Sequence, residues 1–471
     1  MSNHPSQPPP VSDGKTPHVL IVGAGLAGLL LAILLDRANI PYEIYERANE
    51  IKPLGALMSL NASILTALDQ LGLLEELEKV SLPNNKMTFC SDDLKVIGAF
   101  EVADEKDILG YDRIAFSRPK LYDLLASKIS PEKFHFGKKV MSIAQNKDGV
   151  MIRCSDGTTY HGDILVGADG AYSGVRQGLY KLLQQEDQLL QSDSLELSKG
   201  FICMVGTTEP LDPAKYPGLT DPRSNAYQVI GKGSQYTWSA FSVPENRICW
   251  NVVVQLSSMQ HEDERFRNSE WGPESNEALI KEVENFKTPY NCTMGDLIAQ
   301  TPRDRISKVF LEDKLFETWH SGRTVLIGDA AHKLLPSAGQ GAVTAMQDSV
   351  VLANCIYELQ SLECADITAA LQDFRDQRYP HVKEQYDASK MNAKIVYGQT
   401  FFERLIRHVV FNYMPKSIQM KNVSKGTANR PQASFLPLVP KRGTCPVMPQ
   451  KPSKRYLQEQ EKARLATATP V

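Results

Sequence analysis

The hexapeptide GAGLAG at residues 23–28 constrains the fold of this chain more than any other part of the sequence. An apolar stretch, 18–22, precedes it, and a second apolar stretch follows it. In a strand-to-helix turn, the first glycine permits the tight turn, the second lets a pyrophosphate approach the backbone, and the third lets helix and strand pack closely. The segment therefore predicts a buried strand, a turn and a helix over about 26–39, followed by a second strand at 42–46.

The residues around this turn predict a dinucleotide site. A helix N-terminus presents unpaired N–H groups and a partial positive charge to phosphates. Glu46 ends the second predicted strand, eighteen residues after Gly28, where a carboxylate binds both hydroxyls of an unphosphorylated ribose, as in FAD or NAD. Arg47 keeps the choice of dinucleotide open, because an arginine there also suits a 2′-phosphate. The predicted cofactor-binding residues of this region are Gly23, Gly25, Leu26, Ala27, Gly28, Glu46 and Arg47.

A second motif, GDAAH at 328–332 followed by PSAGQG at 336–341, comes after another apolar stretch. Here the chain resembles the class A flavoprotein monooxygenases, the family of para-hydroxybenzoate hydroxylase, whose pattern it matches without a gap. The resemblance implies that Asp329 binds the ribityl chain of FAD, and that the loop and the following helix pack against the isoalloxazine. A helix beginning near Gly341 would direct its positive end at the flavin edge where negative charge collects on reduction. Gly339, Gly341 and Ala342 leave room for the close approach of the backbone.

Two further matches support the resemblance. Asp169 and Gly170 follow a predicted strand at 163–168 and look like the DG motif that the family uses near FAD and the nicotinamide cofactor, although an Asp-Gly turn is also common as a capped loop. Arg118 matches the arginine with which family members contact FAD, and its alternative is a surface salt bridge. The resemblance implies that His332 is structural or close to the flavin rather than a general base.

The resemblance also implies a reaction. NADH or NADPH reduces the FAD, O₂ adds at flavin C4a, and the resulting hydroperoxide hydroxylates or epoxidises an organic substrate. A single GxGxxG unit of good quality fits a family that lacks a separate nicotinamide domain. The residues leave other flavin enzymes open, namely a prenyl reductase or a halogenase-like enzyme, and also a non-enzymatic flavin-binding protein.

The stretch from about 200 to 255 is rich in strand formers and predicts a second sheet. Its aromatic residues indicate an apolar pocket for an aromatic or polycyclic small molecule. Tyr227 and Tyr236 are candidate catalytic residues that would orient or deprotonate the substrate, although tyrosines of an aromatic-rich sheet more often belong to its core.

Composition and charge narrow the partners and the compartment. The net charge of −3 gives no reason to expect nucleic acid. The eight cysteines form no C-x-x-C pair, so the sequence indicates neither a metal site nor a disulfide framework, and we expect free thiols in a cytoplasmic protein. The first residues, 1–17, lack the apolar stretch of a secretory signal. Apolar residues at 401–414 have the spacing of a helix that could lie on a membrane, but we favour packing against the protein itself. The sequence leaves the oligomeric state open.

The predicted fold class is α/β: a Rossmann-like FAD-binding domain with an inserted mixed-sheet substrate domain and a helical C-terminal part. The expected domain bounds are a disordered tail at 1–16, an FAD-binding domain at 17–85, 105–195 and 300–360, a substrate domain at 86–104 and 196–299, C-terminal helices at 361–424, and a proline-rich tail without regular structure at 425–471.

Overall fold

A computed structural model gives the architecture of the chain. It describes residues 16–50, 55, 57–102, 104–256, 274–398 and 400–468, so most of the predicted tail at 1–16 lies outside the described residues. The strands are β1 Val19–Val22, β2 Tyr42–Tyr45, β3 Leu57–Leu60, β4 Leu82–Pro83, β5 Lys86–Ser91, β6 Val96–Glu101, β7 Ile114–Ser117, β8 Phe134–His135, β9 Val140–Gln145, β10 Val150–Cys154, β11 Thr159–Gly162, β12 Ile164–Gly167, β13 Ser198–Thr207, β14 Ala226–Ile230, β15 Tyr236–Val243, β16 Arg247–Gln255, β17 Lys287–Thr288, β18 Cys292–Thr293, β19 Ser307–Leu315, β20 His320–Ser321, β21 Thr324–Leu326 and β22 His332–Lys333. The α-helices are α1 Leu26–Arg37, α2 Ala62–Gln70, α3 Leu74–Glu78, α4 Glu105–Leu109, α5 Arg118–Ala126, α6 Gly174–Gln185, α7 Glu274–Val283, α8 Met294–Ala299, α9 Gly341–Tyr357, α10 Cys364–Tyr397, α11 Phe401–Tyr413, α12 Lys416–Gly426 and α13 Lys454–Ala468.

The first large sheet carries the predicted dinucleotide-binding unit. Its strand order is β20-β21-β12-β1-β2-β8, and all pairs except β20–β21 are parallel. Helix α1 is buried along almost its whole length between this sheet and the helices α5 and α9. A helix that is apolar on all sides needs such cover on all sides. The predicted α/β class with a Rossmann-like unit is confirmed.

A second sheet of eight strands follows the order β22-β19-β13-β16-β15-β14-β5-β6. Its pairs are antiparallel apart from β14 and β5. Strand β19 is part of this sheet because it pairs along most of its length with β13, so the prediction that placed 300–360 wholly in the FAD-binding domain is wrong for these residues.

Side chains alternate between the two faces of this sheet. The outer face carries Trp238 and Trp250, which belong to one apolar cluster with residues of α8. The opposite face, which we call the inner face, packs against the loop before α9: Cys203 and Val253 share a cluster with Leu335. At the other end of the inner face, a further cluster contacts β3 of the first domain. The inner face is therefore the side that looks towards the GDAAH and PSAGQG motifs.

The proline-rich C-terminal segment packs against the folded core. From 427 to 453 it has no helix or strand, as expected, but the expectation of no regular structure is wrong for Lys454–Ala468, which form α13. Ala433 and Phe435 are buried, and α13 follows them. Prolines cannot donate backbone hydrogen bonds, but side chains of the folded core replace the missing backbone partners. Gln70 accepts from the backbone N–H of Ala433 and donates to its carbonyl, and Asn354 binds the backbone of the neighbouring residues in the same way. None of the described helices is long and apolar enough to cross a bilayer.

Candidate active site

The glycine turn between β1 and α1 requires its glycines. Gly23 has a φ of +106°, and a Cβ there would lie 2.5 Å from the carbonyl oxygen of Ala168 at the end of β12. A Cβ on Gly28 would lie 2.1 Å from the carbonyl oxygen of Gly23. Gly25 is the N-cap of α1, with no side-chain cap, and Leu26 and Ala27 form the first helical turn. The unpaired N–H groups of this turn are therefore available to an anion.

Glu46 reaches back from the end of β2 to the glycine turn. One carboxylate oxygen accepts a hydrogen bond from the backbone N–H of Ala24 at 2.8 Å, and the other accepts from the N–H of Ala48 at 2.9 Å. These two bonds fix the carboxylate beside the turn, where sequence analysis expected a ribose. Arg47, at the next position, is exposed.

Asp329 lies among cations at the start of the second motif. Its carboxylate forms an ion pair with Lys333, and Arg118 is close enough to act on its charge. Burial alone would raise the pKa of Asp329, but Lys333, His332 and Arg118 outweigh burial and hold the pKa below its ordinary value. The carboxylate is therefore an ionised acceptor at neutral pH.

Arg118 begins α5, is half-buried, and donates a hydrogen bond to the hydroxyl of Tyr122 at 3.1 Å. Its Nε is buried, and no hydrogen-bond partner for it occurs in the part of the chain that the structure describes. The nearby Tyr122 hydroxyl is the main cause that raises the pKa of Arg118. Among the described residues, Arg118 forms no surface salt bridge, and its charge acts on the nearby Asp329 instead.

The loop before α9 offers an open cradle. Gly339 has a φ of +63°, and a Cβ on Gly339 or Gly341 would meet no atom within 4 Å. Gln340, the N-cap of α9, makes no side-chain cap, and Ala342 stands in the first turn. The open space, the uncapped N-terminus of a 17-residue helix and the buried Nε of Arg118 fit a bound FAD.

Asp169 caps α6 with its carboxylate. One of its oxygens accepts hydrogen bonds from the N–H groups of Gly174, at 2.7 Å, and Val175, at 3.2 Å, and the other accepts from the hydroxyl of Ser173. Burial raises the pKa of Asp169. Only its backbone faces the glycine turn, since a Cβ on Gly23 would lie 2.8 Å from the Cα of Asp169. The structure thus gives the side chain the capping role that sequence analysis kept as an alternative.

His332 belongs to a buried network that sequence analysis missed. Its Nε2 lies 2.6 Å from Asp348, which also pairs with the Nε of Arg378 at 2.8 Å. Asp348 further accepts from the backbone N–H of Gly328 at 2.9 Å. Burial alone would raise the pKa of Asp348, but His332 and Arg378 lower it below its ordinary value. The ring of His332 is 1% exposed, which supports the structural role that we expected.

Tyr227 and Tyr236 do not face the flavin loop. Tyr227 packs edge-on against Tyr290, and Tyr236 packs against Phe286 and hydrogen-bonds to Glu282 of α7. Both tyrosines therefore lie on the outer face, and the prediction that they are catalytic is wrong. Alternation along the same strands places three polar side chains on the inner face instead. They are Gln228, Ser239 and Asn251, which stand side by side on β14, β15 and β16.

All eight cysteines are free thiols. Within the described ranges, no group of three or more histidine, cysteine or acidic side chains is arranged to hold a metal ion.

Comparison with known proteins agrees with the site. A model of the FAD binding domain family matches residues 16–389. FAD-dependent monooxygenase prhF of Penicillium brasilianum is 29% identical over 436 residues, which cover 90% of this chain and 88% of that protein. FAD-dependent monooxygenase ptmM of Penicillium ochrochloron is 30% identical over 404 residues, 82% of this chain and 91% of that protein. The fold is similar to that of Klebsiella pneumoniae HpxO complexed with FAD and uric acid, with a TM-score of 0.71 at 22% identity over 88% of this chain and 97% of that one.

The family model covers far more than half of the chain, and the relatives match along nearly its whole length. The fold brings the motifs on which the resemblance rests next to one another, since Gly328 lies beside Ala27 of the glycine turn and Arg118 acts on the charge of Asp329. The chain therefore belongs to the FAD binding domain family and is an FAD-dependent monooxygenase of the class A flavoprotein type.

Proposed function

We propose that this enzyme uses NADH or NADPH and O₂ to hydroxylate or epoxidise an aromatic or polycyclic small molecule held between the flavin loop and the inner face. The observation that carries the proposal is the position of the inner face, which packs against Leu335 directly before the PSAGQG loop. The bound FAD would take electrons from the nicotinamide and activate O₂. The protein's part is to hold the cofactor, orient the substrate and exclude water.

The proposed cofactor contacts follow from the placement of each group. The first turn of α1 binds the pyrophosphate with its free N–H groups, and the carboxylate of Glu46 binds the adenosine ribose. Asp329 accepts hydrogen bonds from the ribityl hydroxyls, because it is ionised. Arg118 offers its buried Nε to the flavin side of the same space. The uncapped N-terminus of α9 would stabilise the negative charge that collects on the flavin ring on reduction.

The inner face supplies the proposed substrate contacts. Gln228 and Ser239 are buried there, and Asn251 is half-buried in the same row. Apolar side chains surround this polar row, including Phe89 next to Gln228 and Val205 next to Asn251. A mainly apolar wall with a few fixed polar groups suits a large apolar substrate that carries one or two polar substituents. HpxO, which has a similar fold, holds a small heterocyclic molecule, uric acid, together with FAD.

Removal of the Asp329 carboxylate tests the cofactor contacts. We expect Asp329→Ala to lose bound flavin on purification, because an ionised acceptor at the ribityl chain disappears. Tyr236→Phe is the matched control: it removes a hydroxyl from the outer face and should retain flavin. Visible absorbance measures occupancy, and coupled NAD(P)H oxidation and oxygen uptake with aromatic and terpenoid compounds measure activity. Full flavin occupancy in Asp329→Ala would show that the residue has been wrongly assigned.

A further inference from the structure

Helix α11 leaves its apolar side uncovered. One side of the helix packs against the protein: Arg407 donates hydrogen bonds to the last carbonyls of α10, and Phe411 stacks on Phe89 with ring centroids 4.2 Å apart. On the opposite side, Phe402 is 74% exposed and Ile406 is 50% exposed. The expectation that this segment simply packs against its own protein is therefore wrong for the apolar side.

The exposed apolar residues form one continuous stripe. With 3.6 residues per turn, their side chains cover an arc of about 140° along the length of the helix. Scattered single apolar residues are normal on a protein surface, but a contiguous patch marks a contact site. The residues of this stripe are Phe401, Phe402, Leu405, Ile406, Val409 and Tyr413.

The sequence around the stripe is strongly basic, although the chain as a whole has a net charge of −3. The only acidic residue between positions 390 and 425 is Glu403, and its carboxylate forms the capping box of α11 with Thr400. Arg404 is exposed on α11 itself, and Lys416 and Lys421 are exposed on α12, the next helix along the chain. The basic residues of this segment are Lys390, Lys394, Arg404, Arg407, Lys416, Lys421 and Lys425. Lys390 pairs with Asp313, Lys425 pairs with Glu384, and Arg407 is buried, so these three do not contribute free charge beside the stripe.

We propose that α11 docks this enzyme onto an anionic lipid bilayer. The stripe would lie at the boundary between headgroups and acyl chains, and the flanking basic side chains would contact acidic headgroups. A second copy of the chain fits the surface less well, because a symmetric pairing of two such helices would bring like charges together. Asn412 donates a hydrogen bond to the carbonyl of Ile97, which fixes the helix on the second sheet, so docking would orient the whole enzyme on the bilayer.

Vesicle flotation of the holoenzyme tests the proposal. We expect wild-type protein to float with vesicles of phosphatidylcholine and phosphatidylserine, and much less with phosphatidylcholine alone. The double variant Phe402→Glu and Ile406→Glu should bind anionic vesicles at least about tenfold more weakly, because two apolar side chains become charged. The matched control is Met141→Glu, which adds charge at another exposed apolar side chain, on β9, and should float like wild type.

Retained visible flavin absorbance in every variant shows that the fold is intact. Lys416→Gln with Lys421→Gln should reduce flotation with anionic vesicles and leave the weak binding to neutral vesicles unchanged. The proposal fails if wild-type protein does not float with anionic vesicles, or if the Phe402 and Ile406 variant floats equally well. It also fails if size-exclusion chromatography shows that the wild-type protein is a dimer, that this variant is a monomer, and that neither binds vesicles. The stripe would then be the contact surface for a second copy of the chain.

Discussion

Replacement of Asp348 by asparagine would remove the carboxylate that His332 and Arg378 share in the core. Asp348 is fully buried, and the side chain of Arg378 is 1% exposed. An asparagine oxygen can still accept from the backbone N–H of Gly328, which lies 2.9 Å from the carboxylate. It cannot neutralise the guanidinium. The variant therefore leaves a buried cation without a counter-charge in nearly unchanged surroundings.

The expected cost follows from that uncompensated charge. Removal of one partner of a buried ion pair typically lowers the free energy of unfolding by about 3–5 kcal/mol. Total stability is usually about 5–15 kcal/mol, so the loss is a large part of it. Adding Arg378→Met to Asp348→Asn removes the stranded cation as well, and we expect this double variant to be more stable than Asp348→Asn alone.

The pH dependence has a defined sign. His332 and Arg378 hold the pKa of Asp348 below its ordinary value of 3.8. Its stabilising contribution is therefore complete above that pH and is lost as the pH falls through the lowered pKa of the folded state. The stability difference between wild type and Asp348→Asn should be constant near neutral pH and should narrow only in strong acid.

Urea unfolding of the purified proteins, followed by circular dichroism and flavin release, measures these differences. The matched control is Asp387→Asn, which breaks an exposed ion pair with Lys383 and should change the free energy of unfolding by less than about 0.5 kcal/mol. If Asp348→Asn unfolds at the wild-type urea concentration and keeps its flavin, the buried network does not hold the loop as argued.

Two further substitutions test the turn and the inner face. Gly28→Ala should abolish flavin binding, because the new Cβ would lie 2.1 Å from the carbonyl oxygen of Gly23. The control Gly426→Ala should retain flavin, because a Cβ at that position would have no atom within 4 Å. Equal visible flavin absorbance in the two purified variants would contradict the packing argument. For any compound that stimulates NAD(P)H oxidation, Gln228→Leu should raise KM by about tenfold through loss of a buried polar contact. Tyr227→Phe, one position away on the opposite face, should leave KM unchanged. If steady-state kinetics showed the same change of KM in both variants, the assignment of the two faces would be refuted.

The glycine turn could be predicted because its constraints are local. Gly23, Gly28 and Glu46 lie within one strand-turn-helix-strand unit, so their spacing alone places them together. The same holds for the second motif, where a strand, a loop and the N-terminus of α9 follow one another in the chain. The carboxylate of Asp169 illustrates the limit: the turn was recognised, but only the packed structure shows that α6 uses that side chain as a cap.

The substrate side could not be predicted in the same way. A strand with period-two alternation exposes one set of side chains on each face, and the sequence does not say which face will be covered by helices. In this chain α8 covers the face with the large aromatic residues, so Gln228 rather than Tyr227 looks towards the flavin loop. The buried network had no local signal either, because His332, Asp348 and Arg378 come from three separate elements.

The loop that carries Asp329 is held on both sides by buried arginines. Arg176 of α6 donates a hydrogen bond to the carbonyl oxygen of Ala330 at 2.9 Å, and Arg378 acts through Asp348 on the N–H of Gly328. These are the two neighbours of Asp329 in the chain, so its backbone is fixed before any cofactor arrives. A carboxylate on such a support needs no rearrangement to meet its ligand, which lowers the cost of binding. The two arginines explain why a motif that looks like a short cofactor signature depends on residues of α6, α9 and α10. A change at Asp348, whose carboxylate binds the backbone directly before Asp329, should therefore release the flavin.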